Sequence, residues 1–337
     1  MKVLVTGATG FIGSCLVQRL AKDGFEIICL VRKTSSKERI KELAKIGAQI
    51  CYGDVTDQHS LKHLPTDIDV IYHLAALLDH SLASYEPYHR VNVNGTRNLV
   101  EYFLGSDLKK FVFMSSIAAI GLVKTETGFV GEGVRCSPTT FYGKSKYEAE
   151  KILIRYFNDF KFPIIILRAP TVYGPSSKNS FREMVKFVKR KIERRRPIVY
   201  IDRGSALTSL CYIDNLINAL MLAMKSKYIG EIFHIDDGRP YTHKEILNAI
   251  SNALGEKPIE VYIPHVILYP FAFVNEFLNA ILKIGIKDLS MEKVRMLSTS
   301  IAFDVSKARQ RLGYKPMCKL EVFVGKTVAE HRKNKLL

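Results

Sequence analysis

The sequence predicts an α/β fold, a doubly wound parallel sheet followed by a smaller, mainly helical C-terminal lobe. Three observations carry that expectation. Short apolar, β-branched runs alternate with helical patterns through the first half of the chain. A glycine-rich turn joins the first run to the first helical pattern. After Pro175 the rhythm changes and helical patterns dominate.

The expected strands of the first half lie at 3–6, 26–31, 49–52, 70–73, 111–114 and 164–168. The expected helices between them lie near 11–23, 37–46, 57–63, 84–105 and 141–159. Strands that are apolar throughout and separated by helices belong to a parallel sheet covered on both faces. Right-handed crossovers then wind that sheet twice. Beyond Pro175, helices are expected at 180–195, 214–226, 243–254, 265–284 and 290–298, with short strands near 198–201 and 231–235. The first domain is therefore 1–175, with the segment 211–213 and the helix 214–226 returning to it. Residues 176–210 and 227–337 form the second lobe. No Gly/Ser linker divides the two, and no internal repeat is present.

The chain has 337 residues, enough for one large core and a smaller lobe. With 47% hydrophobic and 25% charged residues it is neither disordered nor fibrous in composition. Six cysteines are scattered with no C-x-x-C pair, so neither a zinc cluster nor a disulfide framework is expected, and no metal site. A reducing, cytoplasmic setting follows, and no secretory segment precedes the strand that starts at Lys2. The most apolar stretch, 261–286, is interrupted by Pro264, Pro270, Asn275, Glu276 and Lys283. A spanning helix needs roughly 20 mostly apolar residues without such breaks, so no transmembrane segment is expected. The stretch is suited to a membrane surface or to covering an apolar pocket.

The net charge is +17, and seven of the eleven residues from Lys186 to Arg196 are Lys or Arg. A solvated helix face explains that run. Peripheral contact with an anionic membrane is the alternative, and no nucleic-acid motif accompanies it.

Thr6-Gly7-Ala8-Thr9-Gly10-Phe11-Ile12-Gly13 follows the first strand and opens the first helix. Gly7 allows a tight turn, Gly10 lets the backbone approach a pyrophosphate, and Gly13 lets the helix pack close to the sheet. The helix start offers free N–H groups and a positive dipole end to the phosphates. This is the dinucleotide signature of the Rossmann fold. The second strand ends in Val31-Arg32-Lys33, with no carboxylate for a ribose 2′-hydroxyl. Arg32 can instead grip a 2′-phosphate bidentately, so NADP is favoured and NAD remains the alternative. Asp54, after the third strand, is placed to accept the adenine amino group, and Asp57 to cap the next helix.

Tyr142 and Lys146 stand four apart at the start of a helical pattern, on one face. An ammonium beside the phenol is expected to lower its pKa and make Tyr142 an acid or base near neutrality. Lys146 can also hydrogen-bond a nicotinamide ribose. Ser115 and Ser116 end the fifth strand at the carboxyl edge, where such sheets bind ligands. A hydroxyl there can hold a substrate oxygen against the tyrosine, which follows Ser116 by 26 residues.

With these motifs the chain resembles an extended short-chain dehydrogenase/reductase of the NAD-dependent epimerase/dehydratase superfamily, essentially end to end. The turn Thr6–Gly13 and the set Ser116, Tyr142 and Lys146 carry the likeness. So do His73-Leu74-Ala75-Ala76, Asn92-Val93-Asn94-Gly95-Thr96 and Arg168-Ala169-Pro170-Thr171-Val172-Tyr173-Gly174-Pro175. Tyr212-Ile213-Asp214-Asn215, Phe303–Lys307 and Leu312–Pro316 match as fold landmarks. The resemblance implies a nicotinamide cofactor contacted by Gly7, Thr9, Gly10, Phe11, Ile12, Gly13, Arg32, Asp54, Val55, Leu74, Ala75, Ala76, Asn92, Tyr142, Lys146 and Pro170. It implies catalysis by Ser116, Tyr142 and Lys146.

Within the superfamily one branch acts on nucleotide-sugars. Another, which includes 3β-hydroxysteroid dehydrogenases and dihydroflavonol reductases, acts on apolar alcohols and ketones. The chain carries Thr171 where the first branch usually has Asn, Thr208 where it usually has a diphosphate-binding Arg, and Ile120 where it often has Tyr. Losing that Arg removes a charged hydrogen bond worth about 1.5–3 kcal/mol, unless a cation such as Arg203 replaces it. With Ser116, Thr171 and Thr208 are the expected substrate contacts. The expectation is an NAD(P)-dependent oxidoreductase acting on an apolar secondary alcohol or ketone. A nucleotide-sugar 4-epimerase or dehydratase with tightly bound NAD is the alternative. A non-catalytic dinucleotide sensor or scaffold is a third class, set aside because both Tyr142 and Lys146 are kept. The expected partner is a small-molecule substrate, with a homodimer as a further option.

Overall fold

Runs such as Val3-Leu4-Val5 and Ile164-Ile165-Ile166 have no polar face to turn to water, so they are stable only inside a sheet covered on both sides. The computed structural model describes residues 1–337 apart from 80, 124–127, 176–179, 283–289, 335 and 337, and only the backbone of 277–282, 292 and 296. It places these runs in a seven-stranded parallel sheet. The spatial order is Glu231–His234, Ile164–Ala169, Lys110–Ser116, Val70–His73, Lys2–Thr6, Glu26–Val31 and Gln49–Tyr52. The order reverses direction between Lys2–Thr6 and Val70–His73, the crevice where doubly wound sheets take ligands.

Alternate residues of each strand feed two cores. Val3, Val5, Cys29 and Tyr72 pack on one face with the helices Phe11–Lys22 and Ile213–Lys225. Leu4, Ile28, Ile71 and Phe111 pack on the other with Gly95–Phe103 and Phe141–Phe160. Tyr72 also ties Ile213–Lys225 to the sheet, its hydroxyl donating to the Leu220 carbonyl at 3.1 Å.

Two expectations are corrected. The strand near 231–235, assigned from the sequence to the second lobe, is the edge strand of the central sheet, paired with Ile164–Ala169. Leu210–Tyr212 pairs with Thr171–Tyr173, within 1–175, in a separate two-stranded sheet. The single helix expected at 84–105 is Glu86–Tyr88, a π-helical turn His89–Asn94, and Gly95–Phe103.

In the second lobe, Ile198–Ile201 pairs in parallel with Glu260–Ile263. Below them lies a small core of Ile201, Ala272 and Val294. The apolar stretch expected to suit a membrane surface or cover an apolar pocket turns one face outward over its described part. Val266, Ile267, Phe271, Phe273 and Val274 of the helix His265–Leu282 face solvent. Residues 283–286 of that stretch, and the end of the helix expected to 284, lie outside the described residues.

Candidate active site

The glycine turn is built by close backbone approach. Gly7 has φ +70°, and a Cβ there would stand 2.7 Å from the Ala75 nitrogen. A Cβ on Gly13 would meet the Gly7 carbonyl oxygen at 2.2 Å, and one on Gly10 the same oxygen at 3.1 Å. The helix Phe11–Lys22 begins at Gly10 with no side-chain cap and no acidic residue in its first turn. Its first N–H groups and dipole are thus open to an anion. A dinucleotide pyrophosphate fits this cradle. Thr9, Phe11 and Ile12 complete the turn, all half-buried.

His73 fastens the turn to the fourth strand. Thr96 donates its hydroxyl to the Asn92 carbonyl at 2.6 Å, so it accepts from His73 Nε2 at 3.0 Å. The other ring nitrogen, Nδ1, then accepts from Thr6, whose hydroxyl oxygen in turn accepts the Ala75 N–H. Burial and the Lys146 charge hold the imidazole pKa down to about 3, so this neutral tautomer persists through the physiological range. Leu74 and Ala75 are thereby fixed against Gly7, with Ala76 exposed beside them.

At the adenosine end, Asp54 turns one carboxylate oxygen inward, to the Thr56 N–H and hydroxyl, both at 2.9 Å. Asp57 caps the following helix, accepting from the His59 N–H at 3.0 Å. Val55 is buried beside it. Arg32 is exposed just past the second strand, without a carboxylate partner among the described residues. Sequence reasoning missed Arg39. It lines a cleft of about 360 Å³ with Ala8, Thr9, Ser14 and Glu42, beside the glycine turn. It stands in the first turn of the helix Lys37–Lys45, seven residues after Arg32.

The catalytic candidates meet because of one glycine. Thr140 caps the helix Phe141–Phe160 by accepting from the Gly143 N–H at 3.0 Å. A Cβ on Gly143 would stand 2.2 Å from the Ala118 carbonyl oxygen, so only glycine lets the helix touch the turn that follows Ser116. That contact sets Tyr142 against Ser116, whose hydroxyl favours the phenolate. A glycine in the first turn of an otherwise good helix costs about 1 kcal/mol, and that cost was the legible signal.

The expected lowering of the Tyr142 pKa is not found. Burial pushes the phenol up to about 12, with Ser116 opposing, so Tyr142 is a protonated acid at neutral pH. Lys146 takes the shift instead. It is 2% exposed, its Nζ lies 4.3 Å from the centre of the Phe113 ring, and burial lowers its pKa to about 7 against the pull of Glu150.

Asn92, an expected cofactor contact, is buried, and its side-chain amide is bonded within the protein. It pairs both ways with the Leu77 backbone, accepting at 2.7 Å and donating at 3.1 Å, and donates to Ser145 at 2.8 Å. Ser145 donates in turn to the Tyr142 carbonyl at 2.8 Å. Asn92 therefore positions the helix that carries Tyr142 and Lys146, and the π-helical turn brings its side chain across to that helix.

Strand register gathers the expected substrate contacts. Ser116 stands opposite Ala169, two residues before Thr171, with Pro170 buried between them. Thr171 stands opposite Leu210, two residues after Thr208. Ile120 is buried with Val130 and Phe303. Beneath the site Arg168 grips Glu150 through Nε at 2.9 Å and Nη2 at 2.6 Å, and Ser115 donates to the same carboxylate.

A seven-stranded parallel sheet with a dinucleotide cradle and a Ser, Tyr and Lys set at its carboxyl edge defines an extended short-chain dehydrogenase/reductase. The chain belongs to the NAD dependent epimerase/dehydratase family, whose model matches residues 3–236. It is 27% identical to UDP-glucose 4-epimerase of Vibrio cholerae, over 93% of this chain and 90% of that one. It is 25% identical to 4-hydroxy-2-methyl-3-oxo-4-farnesyl-3,4-dihydroquinoline-1-oxide ketoreductase of Stigmatella aurantiaca, over 93% and 92%. The solved structure of a variant UDP-glucuronic acid 4-epimerase from Bacillus cereus, with a deoxyfluoro substrate analogue and NAD, superimposes with a TM-score of 0.77. It shares 26% identity over 99% of this chain and 100% of that one. The family and these neighbours are NAD-dependent enzymes that include epimerases and reductases.

Proposed function

We propose that the protein is an NADP-preferring oxidoreductase that interconverts an apolar ketone and its secondary alcohol, with Tyr142 as general acid/base. The carrying observation is the pairing of a protonated, half-buried Tyr142 against Ser116 with the buried Lys146 on the same helix face. A bound nicotinamide supplies or accepts the hydride. In the reductive direction Ser116 holds the carbonyl oxygen and Tyr142 gives it the phenolic proton. Lys146, in its ammonium form, offsets the phenolate left behind and returns to a weaker base once the phenol is reprotonated.

The apolar substrate class is supported by the charges around Thr171 and Thr208. Arg168, next to this group in register, is buried and gripped by Glu150 through Nε and Nη2, with Nη1 left unpaired. Arg239, two residues from the Tyr241 that pairs with Thr208, is held by Glu245 at 3.0 Å. A diphosphate would have to compete for both. The ketoreductase relative supports the same class. The epimerase relative supports a second reading, a nucleotide-sugar 4-epimerase with tightly held NAD.

The cofactor preference rests on Arg32, with Arg39 behind it. Arg32→Ala is expected to cost NADP about 1.5–3 kcal/mol of affinity, as for a hydrogen bond to a charged group, and NAD far less. Fluorescence titration of both dinucleotides measures this. Equal losses for the two would contradict the assignment.

A further inference from the structure

The helix His265–Leu282 is amphipathic in the inverted sense. Leu268, Tyr269 and Ala272 face inward, onto Ile201, Met291 and Val294. Outward lie Val266, Ile267, Pro270, Phe271, Phe273 and Val274, and the five other than proline are each 50–64% exposed. At about 100° per residue these six span an arc about 160° wide. No charged residue falls within that arc among the described residues. Water gains nothing from such a surface, and contiguous apolar patches of this kind mark a contact with something apolar.

The helix is firmly mounted. Its first residue, His265, bonds Asp202 through both its backbone N–H, at 2.9 Å, and its ring Nδ1, at 2.8 Å. Asp202 ends the strand Ile198–Ile201, whose Val199 is exposed directly beside Val261 of the partner strand. Beyond the opposite end of this strand pair, six residues and up to about 20 Å of chain from Asp202, stand the exposed Arg194, Arg195 and Arg196, with the exposed Lys257 before the partner strand. The three arginines have no carboxylate partner among the described residues.

We propose that this face docks the protein on an anionic lipid surface, the outward arc of residues 266–274 seated among the acyl chains and Arg194–Arg196 on the headgroups. Charge decides against a second copy of the chain as the occupant. A two-fold contact through this patch sets a cluster of unpaired arginines close to its own mate, on a chain of net charge +17. Anionic headgroups neutralise the same cluster. The proposal stands on this surface alone and does not depend on the reaction assigned to Tyr142.

The test is cosedimentation of the full chain with vesicles of phosphatidylcholine, with and without phosphatidylserine. The wild type is expected to pellet with the anionic vesicles, and to be released by salt. Phe271→Ser with Phe273→Ser is expected to weaken that binding about a hundred-fold, about ten-fold for each phenylalanine withdrawn from lipid. Arg194→Ala, Arg195→Ala and Arg196→Ala together are expected to weaken it on the order of a hundred-fold, about five-fold for each cation. They should also abolish the preference for phosphatidylserine. All five positions point to solvent, so the melting temperature serves as the fold control and is expected to stay put. Three results would each overturn the proposal. The wild type stays in the supernatant at low salt; both variants bind as the wild type does; or the lipid-free protein sediments as a dimer that the phenylalanine variant alone dissociates.

Discussion

Tyr142→Phe is expected to lower kcat by at least about 10²-fold, the lower end for removing a positioned proton donor. The phenol is half-buried against Ser116, and burial keeps it protonated, with a pKa of about 12. Phenylalanine fills the same space and leaves the Thr140 cap, the Gly143 approach and the Asn92–Ser145 link untouched. Dinucleotide affinity and melting temperature should therefore hold while turnover falls. Steady-state kinetics at saturating cofactor measure the effect, and a variant turning over at the wild-type rate would remove Tyr142 from the mechanism.

The second large effect is on stability. Glu150 and Arg168 are 1% and 2% exposed, and they fasten the helix that bears Tyr142 and Lys146 to the strand that leads into Thr171. Glu150→Gln keeps the shape but strands a guanidinium in the core, which costs about 3–5 kcal/mol. Ser115 and Cys136, both bonded within this group, lose their alignment with it. Replacing both partners, Glu150→Met with Arg168→Met, removes the buried charges together and should restore most of the loss. Denaturant midpoints of the two variants measure the difference. A single variant as stable as the wild type would show that the pair does not anchor the site.

The central strands and most long helices were legible because each is a continuous apolar run or a long 3.6-residue pattern. Two-residue strands such as Phe129–Val130 and Ala302–Phe303 carry too few residues to show a period. The edge strand Glu231–His234 was legible as a strand but not as a member of the sheet. It returns after a long excursion, and neighbours in space need not be neighbours in sequence. Residue types at Ser116, Tyr142 and Lys146 were readable from spacing. Their proton affinities were not, because burial sets them, and burial reversed the expected direction at Tyr142. Asn92 was visible as a motif residue, but its role depends on a π-helical turn that a uniform helical pattern hides. Arg39 comes close to the glycine turn only once the helix Lys37–Lys45 is folded onto it.

The most direct test of the proposed reaction follows nicotinamide absorbance while the enzyme, mixed with NADPH, is offered apolar ketones and, separately, UDP-glucose. Net oxidation of NADPH by one or more of the ketones, lost in Tyr142→Phe, with no change in UDP-glucose, is the expected result. Conversion of UDP-glucose to its 4-epimer without net oxidation, and no reaction with any ketone, would contradict the account and make the protein a nucleotide-sugar epimerase.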